Sequence, residues 1–386
     1  MTTRPLKILH TYKVYRGDLE GGVPSVISVL SRESRQSIEN YVLVARTRGR
    51  FRRETIDGTP VEAVGSLGTL FSTPLAPTYP FTLSRRAPDF DIVVHHAPFP
   101  LADLSISRLS DRIGVVVFWH ADVTTYSQLR WAVVPAITRS LERADRIIVA
   151  DQSAITNSRY LQPFRAKCVV VPYGIDIGYW SSCSPQEIAR AEIVRSKHPR
   201  LILAVGRLVP YKGFAVLIEA LKHVEGNLVV IGEGRLRNDL EKMAVEFGVS
   251  DRVSFLGFAS NSEVKSHLHA ARVLAFPSVT QAEAFGLVQL QAMAAGLPIV
   301  NTALPTAVPR VARHNLEALT IPPNDSGKLA SALNEVLGDP SLANRLGRSG
   351  KKRAKDLYDQ ENFICRMRTI YLDILGNRFI RVLERQ

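Results

Sequence analysis

Residues 273–303 read VLAFPSVTQAEAFGLVQLQAMAAGLPIVNTA and contain one complete strand–helix–strand pattern. The apolar runs at 273–278 and 297–303 are short and almost continuous, which is typical of parallel strands covered on both faces. Between them, residues 285–295 have the length and the small apolar side chains of a buried helix. Parallel neighbours need a crossover of this kind, so the stretch predicts a doubly wound α/β sheet.

The same alternation of short apolar runs and helical patterns recurs along the chain. In the first half, the expected strands are 6–12, 41–46, 91–96, 113–120, 145–151 and 167–174. In the second half they are 201–208, 227–234, 252–258, 273–278, 297–303 and 318–323. Helical patterns between them include 22–34, 130–144, 213–224, 235–247, 261–271 and 325–337. Two sheets of the same kind are therefore expected in one chain.

The length of the chain sets the domain organisation. Its 386 residues exceed the size of one ordinary hydrophobic core. We interpret the polar segment 181–200 as a linker with a short helix, and place the domains at 1–182 and 196–365. A C-terminal helix at about 366–386 is expected to pack back on the first domain. The predicted class is α/β, with two doubly wound domains that face each other across a cleft and bind ligands at strand ends.

Composition is that of a soluble globular protein, with 46% hydrophobic and 22% charged residues. No signal peptide or membrane-spanning run is apparent, and we expect a cytoplasmic protein. Cys168, Cys183 and Cys365 are scattered, so neither a disulfide framework nor a zinc cluster is predicted.

The net charge of +13 favours anionic partners. Arginines are densest at 46–53, where they form either a solvated loop or a contact surface. No nucleic-acid-binding motif accompanies them, which disfavours a nucleic-acid partner.

Residues 206–214, GRLVPYKGF, follow an expected strand. Gly206 allows a tight exit, and Arg207 and Lys212 are suited to a diphosphate, one as a fork and one as a point charge. The alternative is that both cations are ordinary surface charges in a loop.

The mouth of the helix at 285–295 is a second candidate site. Its free N–H groups and its dipole favour an anion, and Gly286 permits close approach to the backbone. Glu283 would repel a phosphate, so we expect it to contact neutral hydroxyls, such as those of a sugar attached to the diphosphate.

The first half offers Gly21-Gly22 and the stretch FWHAD, with His120 and Asp122 just past a strand. The two glycines allow a phosphate or a sugar to approach the backbone. A lone histidine is often structural, but its position at a strand end also suits a ligand site.

Two further motifs are interpreted as structural. VVIGEGRLR (229–237) lacks the third glycine of a dinucleotide turn, so its glycines are expected to serve the backbone. Asp89 and Asp91 precede a strand and are interpreted as a strand-entry turn, and no metal is expected there.

Taken together, these motifs resemble the family 4 retaining glycosyltransferases of the GT-B fold over nearly the whole chain. The resemblance rests on Gly21-Gly22, FWHAD, VVVPYGID (169–176), AVGRLVPYKGF, VVIGEG, VSFLGF, AFPS, EAFGLVQLQAMAAGLPIV and IPPND (321–325). HTYKVY and TALPTAVPRVARHN further resemble bacterial transferases that build O-antigen or exopolysaccharide, many of which use GDP-mannose.

The resemblance implies roles for the candidate residues. Arg207 and Lys212 would hold the diphosphate of a nucleotide sugar, Glu283 the sugar hydroxyls, and His120 would lie beside that sugar. The remaining residues would complete the donor site: Gly21, Gly22, Gly206 and the backbone of Phe285, Gly286, Leu287 and Val288 around the phosphates, and residues 255–257, with Gly257, at the base. No cofactor or metal is implied.

One position departs from the family pattern of Glu, seven residues, Glu. The second Glu is replaced by Gln291, at the position that contacts the ribose in the family. An amide oxygen still accepts from a hydroxyl but lacks charge assistance, which is expected to weaken donor binding by about 1–2 kcal/mol.

We therefore predict a retaining hexosyltransferase that moves a hexose, mannose from GDP-mannose by the resemblance, to a glycan or polyprenyl-diphosphate-linked acceptor. The acceptor would bind the first domain, and residues 46–53 with the apolar 67–81 would meet an anionic membrane. A catalytically weak nucleotide-sugar-binding scaffold subunit is the alternative. A nicotinamide-dependent enzyme is disfavoured by the missing glycine.

Overall fold

The computed structural model describes residues 4–16, 18, 21–32, 37–70, 73–122 and 130–383. The chain divides into two compact units. Residues 1–174 and 361–386 form the first unit, and residues 175–360 form the second. The division thus falls eight residues before the expected end of the first domain at 182, and α-helical residues from 361 onward join the first unit.

The first unit is built around a mostly parallel sheet. Its elements are β1 (Leu6–Tyr12), α1 (Gly22–Ser31), β2 (Ile38–Ala45), β3 (Arg52–Ile56), β4 (Thr59–Val64), β5 (Thr69–Leu70), β6 (Thr73–Pro74), α2 (Tyr79–Arg86), β7 (Ile92–Ala97), α3 (Pro100–Ile106), β8 (Gly114–Trp119), α4 (Arg130–Arg143), β9 (Arg146–Val149), α5 (Gln152–Asn157) and β10 (Cys168–Val170). Within its described residues, eight strands are ordered β10-β9-β8-β7-β1-β2-β4-β3. The order reverses between β1 and β7.

The antiparallel pair β3–β4 was not predicted. The arginine-rich stretch 46–53 is not a loop throughout, because Arg52 and Arg53 begin β3. Asp57 and Gly58 form the turn, with φ of 50° and 81°. A two-residue Asp-Gly connection with positive φ is a strong hairpin signal. The hairpin was not predicted, because β3 has polar side chains on its exposed face and so lacks the apolar run of the other strands.

The second unit is an all-parallel sheet. Its elements are α6 (Ile177–Ser181), α7 (Pro185–Lys197), β11 (Leu201–Val205), α8 (Phe214–Ala220), β12 (Asn227–Ile231), α9 (Arg237–Glu246), β13 (Val253–Gly257), α10 (Asn261–Ala270), β14 (Val273–Phe276), α11 (Leu287–Ala295), β15 (Ile299–Thr302), α12 (Val308–Val311), β16 (Ala318–Ile321), α13 (Ser326–Gly338) and α14 (Pro340–Leu357). Within the described residues the strand order is β13-β12-β11-β14-β15-β16. This is the order of a dinucleotide-binding sheet, and its switch point lies between β11 and β14.

Both sheets are covered by apolar layers of their own, as continuous apolar strands require. The expected α/β class with two Rossmann-like, doubly wound units is therefore confirmed.

The segment interpreted as a linker is a packed part of the second unit. Ser184 and Glu187 form a capping box that starts α7, a helix longer than expected. Glu187 also pairs with the buried Lys265 of α10 at 2.8 Å. Burial alone would raise the pKa of Glu187, but hydrogen bonds from Lys265, Ser184 and Ser262 lower it to about 2.

The last helix, α15 (Gln360–Leu383), packs on the first unit. Phe363 lies edge-on to Phe118 of β8, with 6.2 Å between ring centroids. Arg368 donates to Ser37 at 3.3 Å. The C-terminal segment thus contributes core side chains to a unit that begins more than three hundred residues earlier.

Candidate active site

The switch point of the second unit brings two of the predicted motifs together. The loop after β11 carries Arg207 and Lys212, and the loop after β14 carries Glu283. Val279 N–H donates to the Tyr211 carbonyl at 2.8 Å, which ties the loops to each other. In an open sheet, the crevice at this place is where ligands bind.

Lys212 and Glu283 form a nearly buried ion pair. Lys212 Nζ lies 2.5 Å from Glu283 Oε2, and the two side chains are 14% and 10% exposed. Lys212 also lies over the ring of Phe276, 5.2 Å from its centroid. Gly206 leaves room for this conformation, since a Cβ there would lie 3.2 Å from Lys212 Cε. The cation expected at the phosphates and the carboxylate expected at the sugar are therefore in contact.

Glu283 is held from one side only. Its Oε2 also accepts from Ser278 Oγ at 3.1 Å. Its Oε1 has no partner in the described part of the chain and is not enclosed. The carboxylate is thus fixed in orientation while one oxygen stays available to an incoming hydroxyl.

Arg207 is exposed at the same edge. Its Nη2 donates to the Tyr211 hydroxyl at 3.2 Å, and the guanidinium has no acid partner in the described residues. An exposed guanidinium without a counter-charge keeps most of its donors for an anionic ligand.

The start of α11 supplies backbone donors. Gly286 has a φ of 82°, and a Cβ there would lie 2.6 Å from Phe276 Cζ, so glycine is required by packing as well as by conformation. The N–H groups of Leu287 and Val288 have no acceptor within the described part of the chain, as first-turn geometry dictates. Phe285 is buried.

Two amides of α11, Gln289 and Gln291, have different surroundings, and the sequence pattern predicted a role for Gln291 only. Gln291 is half-buried, on the same helix face as Leu287 and Val288. Gln289 is fully buried, and its amide donates to the Phe285 carbonyl at 3.2 Å and accepts from Asn301 at 2.9 Å. Gln289 is thus the structural amide, and Gln291 is placed on the partly exposed side.

The glycines of VVIGEG serve the backbone, as predicted. A Cβ at Gly232 would lie 2.1 Å from the Gly206 carbonyl oxygen, and one at Gly234 would lie 2.4 Å from that of Leu208. Gly257 ends β13 with a φ of 73°. The neighbouring Leu256 and Phe258 are 46% and 67% exposed. Two apolar side chains are therefore exposed at the strand end where the nucleotide base was expected.

In the first unit, His120 follows β8 and is 9% exposed. Its N–H donates to the Ala97 carbonyl at 3.1 Å. The ring stacks on Phe118 with 4.8 Å between centroids. Asp122 accepts from Trp119 Nε1 at 2.9 Å, so it secures the strand end.

His120 belongs to a hydrogen-bonded chain that was not predicted from the sequence. Its Nδ1 lies 2.6 Å from the Tyr173 hydroxyl, and its Nε2 lies 2.9 Å from His96 Nδ1. His96 Nε2 lies 3.1 Å from His10 Nδ1, and His10 Nε2 lies 3.2 Å from Asn40 Oδ1. His10 and His96 stand in the expected strands, but only the parallel pairing of those strands makes them neighbours.

These histidines are neutral at pH 7. Burial lowers the pKa of His10 to about 4 and that of His120 to about 3. Burial, followed by the proximity of His120 and His10, lowers the pKa of His96 well below 6.5. Burial raises the pKa of Tyr173, whose hydroxyl therefore stays protonated.

The remaining first-unit candidates are backbone features. Gly21 caps α1 in an extended conformation, and a Cβ there would meet nothing within 4 Å. Gly22 begins the helix. Asp91 pairs with Arg4 at 2.5 Å and accepts from Lys7 N–H at 2.9 Å, which places it in a strand-entry turn. Asp89 pairs with Arg86.

Two family models together match most of the chain. A model described as Glycosyltransferase Family 4 matches residues 20–179, and one described as Glycosyl transferases group 1 matches residues 185–353. Their boundary at 179–185 follows the division between the two units closely.

Three relatives are similar over much of their length. An O-antigen chain mannosyltransferase C of Escherichia coli is 25% identical over 97% of this chain and 100% of its own. A D-rhamnosyltransferase of Pseudomonas aeruginosa is 28% identical over 92% of each chain. A GDP-mannose-dependent alpha-(1-6)-phosphatidylinositol monomannoside mannosyltransferase of Mycobacterium tuberculosis is 30% identical over 72% of this chain and 74% of its own.

Solved structures share the fold. A sucrose-phosphate synthase from Thermosynechococcus elongatus superposes with a TM-score of 0.81 at 19% identity, over 96% of this chain and 100% of its own. HepE of Anabaena, in complex with UDP, gives 0.76 at 20% identity, over 95% and 100%. Motifs, strand order, family models and relatives agree, and the chain belongs to the family 4 glycosyltransferases of the GT-B fold.

Proposed function

We propose that this glycosyltransferase moves mannose, with retention of configuration, from GDP-mannose to a glycan or polyprenyl-diphosphate-linked acceptor in bacterial polysaccharide biosynthesis. The observation that supports the proposal most directly is the Lys212–Glu283 pair at the switch point, beside the free N–H groups of α11. Cations, backbone donors and one carboxylate meet where the sheet binds ligands.

Each group has a role in this chemistry. Arg207, Lys212 and the start of α11 stabilise the charge that grows on the leaving nucleoside diphosphate. Glu283 Oε1 accepts from sugar hydroxyls, and Gln291 faces the ribose. In the first unit, His120 contacts the transferred sugar, and Gly21 and Gly22 let the phosphates approach the backbone. Because the diphosphate charge is met by protein groups, we expect transfer to continue in EDTA.

The proposed reaction breaks the bond between the anomeric carbon and the β-phosphate oxygen. The acceptor oxygen bonds to the same face of that carbon, and its proton passes to the departing phosphate. Glu283 is engaged by Lys212 and Ser278 and acts as a sugar ligand rather than as a nucleophile. Departure and attack on one face therefore account for retention without a covalent intermediate.

The sugar and the base are proposed from the relatives. The E. coli and M. tuberculosis relatives are named as mannosyltransferases, and the latter as GDP-mannose-dependent, whereas the P. aeruginosa relative is named for rhamnose. Thermal stabilisation against GDP-mannose, GDP-rhamnose, UDP-glucose and ADP-glucose discriminates these donors. Largest stabilisation by GDP-mannose is expected, and largest stabilisation by a UDP-sugar would overturn the assignment.

Activity assays test the retention of configuration and the role of Arg207. Nuclear magnetic resonance of the product formed from α-linked donor should show an α-linkage, and a β-linkage would refute retention. Arg207→Ala should lower kcat/KM by about a hundredfold or more, since an oxyanion-type donor is lost. Lys242→Ala, an exposed change on α9, is the control.

An exposed surface of the first unit fits a membrane-bound acceptor. Gly49 and Ser66 exchange backbone hydrogen bonds, so residues 46–53 lie beside residues 66–70. Phe51, Leu67 and Leu70 are exposed there, and so are Arg48 and Arg50, which have no ion pair in the described residues. Residues 71 and 72 lie outside the described part. Cations next to apolar side chains suit the interface of an anionic bilayer.

We propose peripheral attachment at the inner face of the plasma membrane through this surface. In the described residues, no helix is long and apolar enough to cross a bilayer. The variant Arg48→Glu/Arg50→Glu should co-sediment less with phosphatidylglycerol vesicles, and Lys242→Glu should not. Equal binding to phosphatidylcholine vesicles, or no effect of the double change, would refute the surface.

Gln291, in place of the second Glu of the family pattern, supports one alternative function, that of a catalytically weak scaffold subunit. A scaffold would bind the nucleotide sugar without consuming it. Release of GDP by the purified protein, with and without acceptor, distinguishes the two functions.

A further inference from the structure

The hydrogen-bonded chain that includes His120 crosses the first unit from β2 through β1 and β7 to the end of β8. Asn40, His10, His96 and His120 each contribute one link, and Tyr173 closes the chain. His10 and His96 are fully buried and Asn40 is 3% exposed, so water does not compete for these links.

The chemistry of the chain ends gives it one direction. Asn40 presents Oδ1, which can only accept, so His10 Nε2 must carry the hydrogen. A neutral His10 then has a bare Nδ1, which accepts from His96 Nε2–H. By the same step, His96 Nδ1 accepts from His120 Nε2–H. His120 Nδ1 is left as an acceptor, and the Tyr173 hydroxyl donates to it.

Neighbouring rings also fix the orientation. His96 and His120 are 5.2 Å apart between centroids and 8° from parallel, so the two hydrogen-bonded rings lie side by side in nearly one plane, and His96 lies parallel to Phe118 at 5.7 Å. With a single tautomer and a single orientation, His120 offers a ligand the accepting Nδ1 and not an N–H.

We propose that His96 and His10 are positioning residues, which hold His120 in its Nε2–H tautomer so that Nδ1 accepts from a hydroxyl of the bound sugar in place of Tyr173. The proposal rests on the role of His120 given under the proposed function. It adds that recognition runs through a sugar hydroxyl acting as donor, and that the residues which set it lie on β1 and β7.

The first test is spectroscopic and needs no substrate. In ¹⁵N-histidine-labelled protein at neutral pH, His10, His96 and His120 should each show the Nε2–H tautomer. Single His→Asn changes assign the signals among the nine histidines. An Nδ1–H tautomer at His96 or His120 would overturn the proposal, even if no variant were made.

The second test compares two substitutions at one position. In His96→Asn, the amide oxygen takes the place of Nδ1 and still accepts from His120. In His96→Phe, the ring is kept but the acceptor is lost, which leaves a buried N–H unsatisfied. His96→Phe should shift His120 away from the Nε2–H tautomer and lower kcat about tenfold or more, with little change in the donor KM. His96→Asn should keep both.

The outcomes distinguish the positioning role of His96 from the proposed function. Equal losses in His96→Asn and His96→Phe, with an unchanged His120 signal, would show a merely structural position and overturn the proposal. Full activity of His120→Phe, which keeps a ring but has no acceptor in place of Nδ1, would refute the role of His120 and the positioning with it, whatever the tautomers. If the wild type did not turn over GDP-mannose, the proposed function would be refuted, while the tautomer signals would stay as predicted.

Discussion

Lys212 Nζ lies 2.5 Å from Glu283 Oε2, at the point where the loops after β11 and β14 meet. One residue was expected to bind phosphate and the other a sugar hydroxyl. Their contact means that the carboxylate competes with a phosphate for the same cation, while the cation orients the carboxylate. The pair therefore couples the two halves of the proposed donor site.

Glu283→Gln should separate the two roles. Because the competing charge is removed, GDP affinity should rise by about 1 kcal/mol, or roughly fivefold in Kd. Turnover of GDP-mannose should fall about tenfold or more, since the sugar loses a charge-assisted acceptor. Calorimetric GDP binding and steady-state kinetics measure the two effects.

Lys212→Met removes the other partner of the same ion pair and is expected to have the opposite effect on GDP binding. It should weaken GDP binding and also cost about 3–5 kcal/mol of stability, because a nearly buried carboxylate loses its counter-charge. Weaker GDP binding by Glu283→Gln would contradict the competition.

The amides of α11 should differ in what they support. Gln289→Leu should lower the free energy of unfolding by about 1–3 kcal/mol, because Asn301 and the Phe285 carbonyl lose a buried partner. Gln291→Glu should leave it within about 0.5 kcal/mol, since the side chain is only half-buried. It should tighten donor binding by about 1–2 kcal/mol.

Urea unfolding and calorimetry with GDP-mannose measure these changes. If Gln291→Glu destabilised the fold and left donor affinity unchanged, Gln291 would be a packing residue.

The sequence was sufficient for the parts of this molecule that depend on local patterns. The apolar runs predicted the parallel strands, and glycines and charges at their ends are the residues from which the donor site is proposed. The hairpin β3–β4 was not predicted, because β3 has polar side chains on one face and no continuous apolar run. Its only local signal is the turn pair Asp57-Gly58. Gln289 and Gln291 are two residues apart and so point to different sides of one helix, which composition alone does not resolve.

The histidine chain shows a different limit. His10 and His96 are 86 residues apart, and they meet because β1 and β7 pair at the switch point. Which strands become neighbours is a property of the whole sheet, and no local pattern around either residue contains it. The pairing of Lys212 with Glu283 escaped for the same reason.

Substitutions at Gly213 and Gly21 distinguish a glycine required by the fold from a glycine that lets a ligand approach the backbone. Gly213→Ala should cost about 2 kcal/mol or more, because its φ is 70° and a Cβ would lie 2.0 Å from the Pro277 carbonyl oxygen. Gly21→Ala meets nothing within 4 Å and should keep stability within about 1 kcal/mol. If phosphate or sugar approaches this backbone, the donor KM should rise about tenfold.

Gly338→Ala, also in open space but at the end of α13, is the matched control and should leave the donor KM unchanged. A normal KM for Gly21→Ala would remove Gly21 from the donor site.

The buried histidines should make the protein acid-sensitive above the range where carboxylates titrate. Above about pH 6.5, the histidines are neutral in both states and contribute no slope. Below it the unfolded chain binds protons that folded His10, with its pKa of about 4, and His120, at about 3, do not bind. Stability should therefore fall as pH is lowered, by about 1.4 kcal/mol per pH unit for each such histidine.

The interval from pH 6.5 to 5 isolates this effect, because the lowered carboxylate pKa values, such as that of Glu187 at about 2, act below it. His198, whose pKa burial also lowers, adds to the slope. In His10→Asn, an amide replaces one titrating ring while its oxygen, in the place of Nδ1, can still accept from His96, so the slope should decrease by about one histidine's share. Urea unfolding at pH 7, 6 and 5 measures it, and an unchanged slope would show that His10 is protonated in the folded chain.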